Sequence, residues 1–468
     1  MRLPSSSSRP SPSPSLWRDT DFRRLWAGQT ASQLGEHTTL VVLPLFAVLT
    51  LDAGAGQLGV LRAVGQAPIL LLSLLAGAWV DRWRARTVMV LTDAARAVAL
   101  GAAAVAGLFG LLGLPALFVV AFTVGALSVL FDVAYQASLV RMVRRDQLVR
   151  GNSALEGSRS AAQIGGPALG GALVSLLSAP VAAAAGALFF AVSFVSLRRI
   201  RRPESVPEHV APVPERPKHV APVPERPDHL VPVPERPDHA APVRGRIREG
   251  LRFVAGNACL RAVCLASAAF QLSFAATMTV YLLFLPRELH LTGATVGLAL
   301  AATGPGALLG SVLAARLPGR LGHGVVLVSA AVLGNGALLC VPALHGSSTA
   351  TILALLAVNL AFGTFSQLVN VTVMSVRQAV TPDGMQGRAA ATITFLGMGF
   401  TPLGSLLGGL LAREWGLRTG LLVAAAGMML SPVLMAASPL ARLGRVLPVP
   451  RKEPRNALDS GSRSRGPS

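Results

Sequence analysis

Gly77-Ala-Trp-Val-Asp81-Arg82-Trp-Arg84-Ala-Arg86 stands between two apolar runs, one ending at residue 80 and the next beginning at Val88. An acid and three arginines interrupt segments that are each long enough to cross a bilayer. So abrupt a charge cluster reads as a tight turn at a membrane surface, and the crowded arginine assigns that surface to the cytoplasm.

The composition agrees with that turn. Of 468 residues, 52% are hydrophobic and 14% charged, with a mean hydropathy of +0.56. A soluble domain carries about 25% charged residues, so the folding solvent here is largely lipid. The net charge of +20 lies at the ends of apolar runs and in the tails. That is positive-inside topology with anionic headgroups as partners, not a basic face with interleaved aromatics, and it argues against nucleic acid. Cys259, Cys264 and Cys340 lie in or beside apolar runs without metal spacing, and read as small core hydrophobes. The Ser/Pro-rich start and the long first run do not form a cleavable signal peptide.

Twelve runs are long enough to span: 25–49, 57–80, 88–111, 115–138, 153–177, 181–198, 260–285, 293–315, 323–342, 349–375, 389–412 and 417–437. The expected fold is an all-α polytopic membrane protein with 12 transmembrane helices in two six-helix bundles, residues 22–198 and 251–440. Loops assigned inside carry Arg82, Arg84, Arg86, Arg141, Arg144, Arg145, Arg150, Arg316, Arg320, Arg377 and Arg388; those assigned outside carry Arg287, Arg413 and Arg418. Both termini are thus expected in the cytoplasm of a bacterial cell. Residues 1–21 and 441–468 read as disordered tails. Residues 199–250 form the linker, with a ten-residue Pro-rich repeat opening at His209, His219 and His229. Such proline density favours polyproline II. The repeat is a semi-rigid spacer, or else a metal-binding His array or a partner ligand. Residues 244–256 read as an amphipathic surface helix, with Ile247, Leu251 and Val254 on one face.

Two six-span halves joined by a long inside loop resemble the major facilitator superfamily. Gly77, Asp81, Arg82 and Arg86 look like its gating motif between spans 2 and 3, with Arg84 where the usual form has Gly. The resemblance implies that Asp81 docks on span 11 and holds the inner side closed. At the matching place in the second half, Gly310-x-x-x-Ala314-Ala315-Arg316 keeps the Gly and a base but has Ala for the acid. Span 5 carries Ala162-Gln-Ile-Gly-Gly166-Pro167-Ala-Leu-Gly170-Gly171, similar to the superfamily's antiporter motif, which implies export. Gln29 to Glu36, Phe131 to Gln136, Gly151 to Ser153, Glu249 to Phe253 and Pro382 to Arg388 extend the resemblance to the branch of drug and macrolide exporters and enterobactin-type siderophore exporters.

Ionisable groups inside spans cost about 3 kcal/mol each at mid-membrane and need a partner or a wet cavity. Glu36 lies roughly 17 Å into span 1, on one face with Gln29 and Gln33. It is either a proton carrier facing the cavity or a structural acid. Asp93, one turn from Arg96, pairs with it or with the turn, or transfers protons. Asp132 pairs with Arg62 or Arg159, or carries protons. Arg62 meets Glu36 or snorkels outward. Gln271, Phe274, Met278 and Tyr281 on span 7, with Asn359 and Phe362 on span 10, suit a bulky amphipathic substrate, or simple packing. No Walker loop, catalytic constellation or metal-ligand cluster appears. The expectation is a non-enzymatic, monomeric exporter without cofactor, driven by the proton gradient. An uptake permease of the same fold and a membrane sensor or scaffold are the alternatives.

Overall fold

The computed structural model describes residues 16–80, 84–142, 148–200, 243–382 and 385–446. No strand occurs among the described residues. The first half comprises α1 (Thr20–Leu49), α2 (Ala55–Val80), α3 (Ala85–Leu108), α4 (Leu114–Met142), α5 (Leu148–Leu176) and α6 (Ala179–Arg198). The second comprises α7 (Val243–Gly256), α8 (Ala258–Arg287), α9 (Gly293–Ala301), α10 (Thr303–Ala314), α11 (Leu317–Leu321), α12 (His323–Leu338), α13 (Thr349–Val380), α14 (Gln386–Gly399), α15 (Thr401–Met428) and α16 (Leu430–Ala436). The amphipathic pattern at 244–256 becomes α7, which packs on α8 and α14. The Pro-rich repeat, Asp81 and Arg82 lie outside the described residues.

Ten segments among the described residues are long and apolar enough to cross a membrane. The last of them, Thr392–Ala436, has 45 residues, length enough for two crossings. Gly416, at φ 80° and ψ 166°, breaks α15 there, and Gly420 lies back against Ala412. That backbone region is open essentially to glycine alone. α5, with Glu156 and Arg159 in its first half, falls outside the ten, yet it packs as a full helix on α1, α6 and α9. With α5 and a double pass of the last segment, the described residues hold enough helix for the twelve crossings expected from the sequence.

The folded part begins earlier than the sequence suggests, which shortens the expected 1–21 tail. Asp19 caps α1 by accepting from the N–H groups of Asp21 (3.0 Å) and Phe22 (3.4 Å), satisfying donors a helix start leaves open. Trp17 then packs edge-on against Phe22 and Trp26. At the other terminus the chain stays attached to Gly444, whose carbonyl accepts from His323 N–H at 3.1 Å.

The two halves repeat one packing scheme. α2 packs on α4 as α10 packs on α13; α3 packs on α6 as α12 packs on α16; α1 packs on α5 as α8 packs on α15. Glycines carry the closest approaches, as expected where lipid supplies little drive for helices to associate.

Between the halves, α5 meets α9 and α2 meets α15. These seams are tightest at the end of the bundle opposite the chain termini. A Cβ on Gly171 would collide with the backbone of Gly293 and Gly297, and one on Gly59 would meet Ser405 O at 2.8 Å. Ala294 N–H donates to Ser175 Oγ. Arg287 pairs with Asp52 at 2.8 Å and donates to Ala53 O at 3.0 Å. Toward the terminal end, Glu156, Arg159 and Gln163 of α5 are exposed. Charged side chains do not face lipid at that depth, so these residues face water on the terminal side.

Candidate functional site

Lipid cannot solvate a charge, so the ionisable side chains of the first half converge on one another. Arg96 of α3 is fully buried. It ion-pairs with Asp93 one turn earlier and, at 3.8 Å, with Glu36 of α1. It also donates to Ser32 Oγ (3.0 Å) and Ser128 Oγ (3.1 Å). The rings of Phe131 and Phe190 sandwich its guanidinium at 4.6 and 4.4 Å, where a cation gains from both π faces. Asp93 accepts further from Ser32 Oγ (3.2 Å) and from Ser193 Oγ. Four helices, α1, α3, α4 and α6, thus clamp one charge pair.

Glu36 differs from Asp93 in access. Its side chain is 25% exposed, against 0% for Asp93. Asp132 of α4 and Arg159 of α5 act on it electrostatically, and Arg159 acts also on His37, Asp132 and Tyr135. Two features escaped the sequence reading. Arg159 is the shared base of this cluster, not a partner of Asp132 alone. His37, beside Glu36, belongs to it as well. Two ionisable residues in succession inside an apolar run were the signal available for His37.

Gln29 and Gln33, expected on a cavity face with Glu36, are both buried. Gln29 Oε1 has no hydrogen-bond partner. Arg62 does not meet Glu36, since that acid takes Arg96. Of the gating-motif residues, Gly77 lies in α2. Arg86 caps α6 within its own half, donating from Nε to Leu197 O (3.3 Å) and from Nη2 to Arg198 O (2.7 Å). That satisfies carbonyls that a helix end leaves open.

The antiporter-like motif has a packing role visible in each glycine. Side chains at Gly166 or Gly170 would collide with His37 and Thr38 of α1. Thr38 Oγ1 donates to Gly166 O at 3.3 Å. Gly171 and the Pro167 carbonyl face Gly297 of α9. One motif therefore binds α5 to the acid-bearing helix on one side and to the other half on the other.

In the second half, Phe270, Phe274 and Phe362 form a continuous parallel stack with centroids 5.4 and 5.5 Å apart. Gln271 and Met278 are half-buried beside it. Tyr281 and Asn359 do not line open space: both are buried, and Asn359 Nδ2 donates to Tyr281 Oη at 2.7 Å. This pair ties α8 to α13. Among the described residues no group of His, Cys, Asp and Glu is placed to hold a metal.

Comparison with known proteins supplies the family. Residues 25–280 match the model of the Major Facilitator Superfamily, and residues 233–461 match that of the transmembrane secretion effectors. The multidrug efflux pump Tap of Mycobacterium tuberculosis is 26% identical over 414 residues, covering 84% of this chain and 87% of that protein; its Mycobacterium bovis counterpart matches equally. Among solved structures, a bacterial homologue of the iron transporter ferroportin in its inward-facing state superposes with a TM-score of 0.67 at 17% identity, covering 91% of this chain and 99% of that one. The outward-facing state of such a homologue reaches 0.53 at 16% identity, covering 89% and 98%. A nucleoside transporter, NupG, superposes at 0.68 with 12% identity, covering 89% and 99%. With two repeated helical halves and a family match over more than half its length, the chain belongs to the Major Facilitator Superfamily of membrane transporters.

Proposed function

We propose that this transporter exports amphipathic, drug-like or siderophore-like small molecules from a bacterial cytoplasm in exchange for protons. The observation that carries the coupling is Glu36: it is ion-paired to the buried Arg96 and still partly exposed. Export is supported by the similarity to Tap and by the span-5 motif that links the Glu36 helix to the opposite half.

The terminal end is the cytoplasmic one by arginine placement, so the water-facing end opens inward and both termini are cytoplasmic. Arg96 lies between two acids. When Glu36 takes a proton, one of the two counter-charges disappears and Arg96 is held by Asp93 alone. When Glu36 gives its proton to the cytoplasm, the carboxylate again draws on Arg96 and is available to a substrate donor or cation. The aromatic stack at Phe274 offers the apolar wall, with selectivity as loose as a flat π surface allows. Rocking of the halves about the α2–α15 and α5–α9 seams alternates access.

The test is a susceptible host overexpressing the chain, challenged with a panel of antibiotics, dyes and siderophores. A compound identified there is then followed in proteoliposomes under an imposed pH gradient. Wild type should drive it uphill, and Glu36→Gln should abolish uphill movement. Unchanged uphill movement by Glu36→Gln removes proton coupling from this site.

A further inference from the structure

Arg62 is an intramembrane base that the Glu36 cluster does not use. Among the described residues it makes no ion pair and no hydrogen bond, and its Nε is buried. The residue as a whole is half-buried, and a base without a counter-charge inside a membrane marks a functional position.

Its place is fixed by contacts on either side. On α2, Gly59 approaches Ser405 and Gly409 of α15, and Leu70 approaches Gly399 at the end of α14. Residues 59, 62, 66 and 70 share one helical face, so Arg62 and Gln66 lie on the seam between those two contacts. On the facing helix, Thr401 and Ser405 precede Gly409 at four-residue steps and lie on the face that meets α2. The same seam holds three further buried orphan atoms: Gln66 Oε1, Thr401 Oγ1 and Ser405 Oγ. Four polar side chains, two from each half, thus lie along one seam, and none hydrogen-bonds another. Arg62 lies roughly 10 Å from the start of α2 and Gln66 roughly 17 Å, near mid-membrane.

The donor set defines the ligand. A guanidinium and two hydroxyls offer N–H and O–H groups, and an amide can present either sign. No acid stands among them, and no charged group of the described residues acts on Arg62. We infer that Arg62, Gln66, Thr401 and Ser405 form a seam site for an oxyanion, the carboxylate or similar acidic group of the transported molecule. Guanidinium binds planar oxyanions through paired, charge-assisted hydrogen bonds. The inference rests on the export reading and narrows it: substrates carry an acidic group beside their apolar body. The acid is bridged by both halves when the seam is closed, and is released to the far side when α2 and α15 part.

The test uses the purified full-length chain and two fluorescent probes of one shape, pyrenebutyrate and its neutral amide, pyrenebutanamide. Wild type should bind the acid more tightly than the amide. Arg62→Gln should weaken acid binding by about tenfold or more and leave amide binding unchanged, and Arg62→Lys should restore part of the loss. Equal binding of the two probes, or an equal effect of Arg62→Gln on both, overturns the site. If Arg62→Gln elutes as an aggregate, the double variant Thr401→Val/Ser405→Ala takes its place: acid-selective loss supports the site and no loss overturns it. Flux in proteoliposomes separates the two proposals. Arg62-dependent acid binding without flux leaves the seam site and sinks export, whereas flux of both probes independent of Arg62 leaves export and sinks the seam site.

Discussion

At the scale of single residues, Asp93 and Glu36 are both acids on Arg96, yet they carry different burdens. Asp93 is sealed and multiply hydrogen-bonded. Asp93→Asn leaves Arg96 with only the looser contact to Glu36, and should destabilise the protein by about 3–5 kcal/mol. The measurement is the thermal unfolding midpoint in detergent; an unchanged midpoint would show that the Phe131–Phe190 sandwich holds Arg96 by itself. That acids and bases inside apolar runs matter was legible, because their cost is intrinsic to the side chain. Which base meets which acid was not. One-turn spacing offers Asp93 to Arg96 as one of several partners, whereas the approach of Arg96 to Glu36 depends on how α1 and α3 are rotated about their axes. Tertiary packing sets that rotation, and no periodicity records it. The aromatic positions show the same limit: Tyr281 shares a stripe with Phe274, but only the packed neighbour Asn359 makes it a structural tie.

Among elements, helix extents were readable and helix roles less so. Runs drawn at 57–80 and 181–198 became Ala55–Val80 and Ala179–Arg198, because lipid demands uninterrupted backbone hydrogen bonding. α1 starts earlier than its apolar run since its first turn is held by the Asp19 cap and by aromatic contacts, not by hydropathy. The Gly/Pro motif of α5 was legible as a small-residue surface, but its two opposite partners, α1 and α9, were not. Gly171→Val tests the second partner. Overpacking there should cost the closed seam about 1–3 kcal/mol, shifting the ratio of closed to open molecules roughly fivefold or more. Spin labels placed across the α5 and α9 ends should report longer distances, and an unchanged distance distribution would refute the role given to that contact.

For the whole molecule, alternating access requires the seams at the end opposite the termini to part. Ser175→Cys with Ala294→Cys, in a background without Cys259, Cys264 and Cys340, joins α5 to the start of α9 where Ser175 Oγ already accepts from Ala294 N–H. Oxidation should stop transport nearly completely and reductant should restore it; sustained flux through the cross-linked form would exclude rocking about this seam. The six-plus-six plan was legible from span count and arginine placement, while the direction in which the bundle opens belongs to tertiary contacts alone. One consequence concerns biogenesis. α5 carries Glu156 and Arg159 within its length, and an arginine at mid-depth opposes entry by about 2.5–3.5 kcal/mol. It partitions into lipid less readily than its neighbours. During synthesis it is helped by the protein surface that α1 and α6 offer, so the helix that joins the two halves is also the one whose arrival depends on its neighbours.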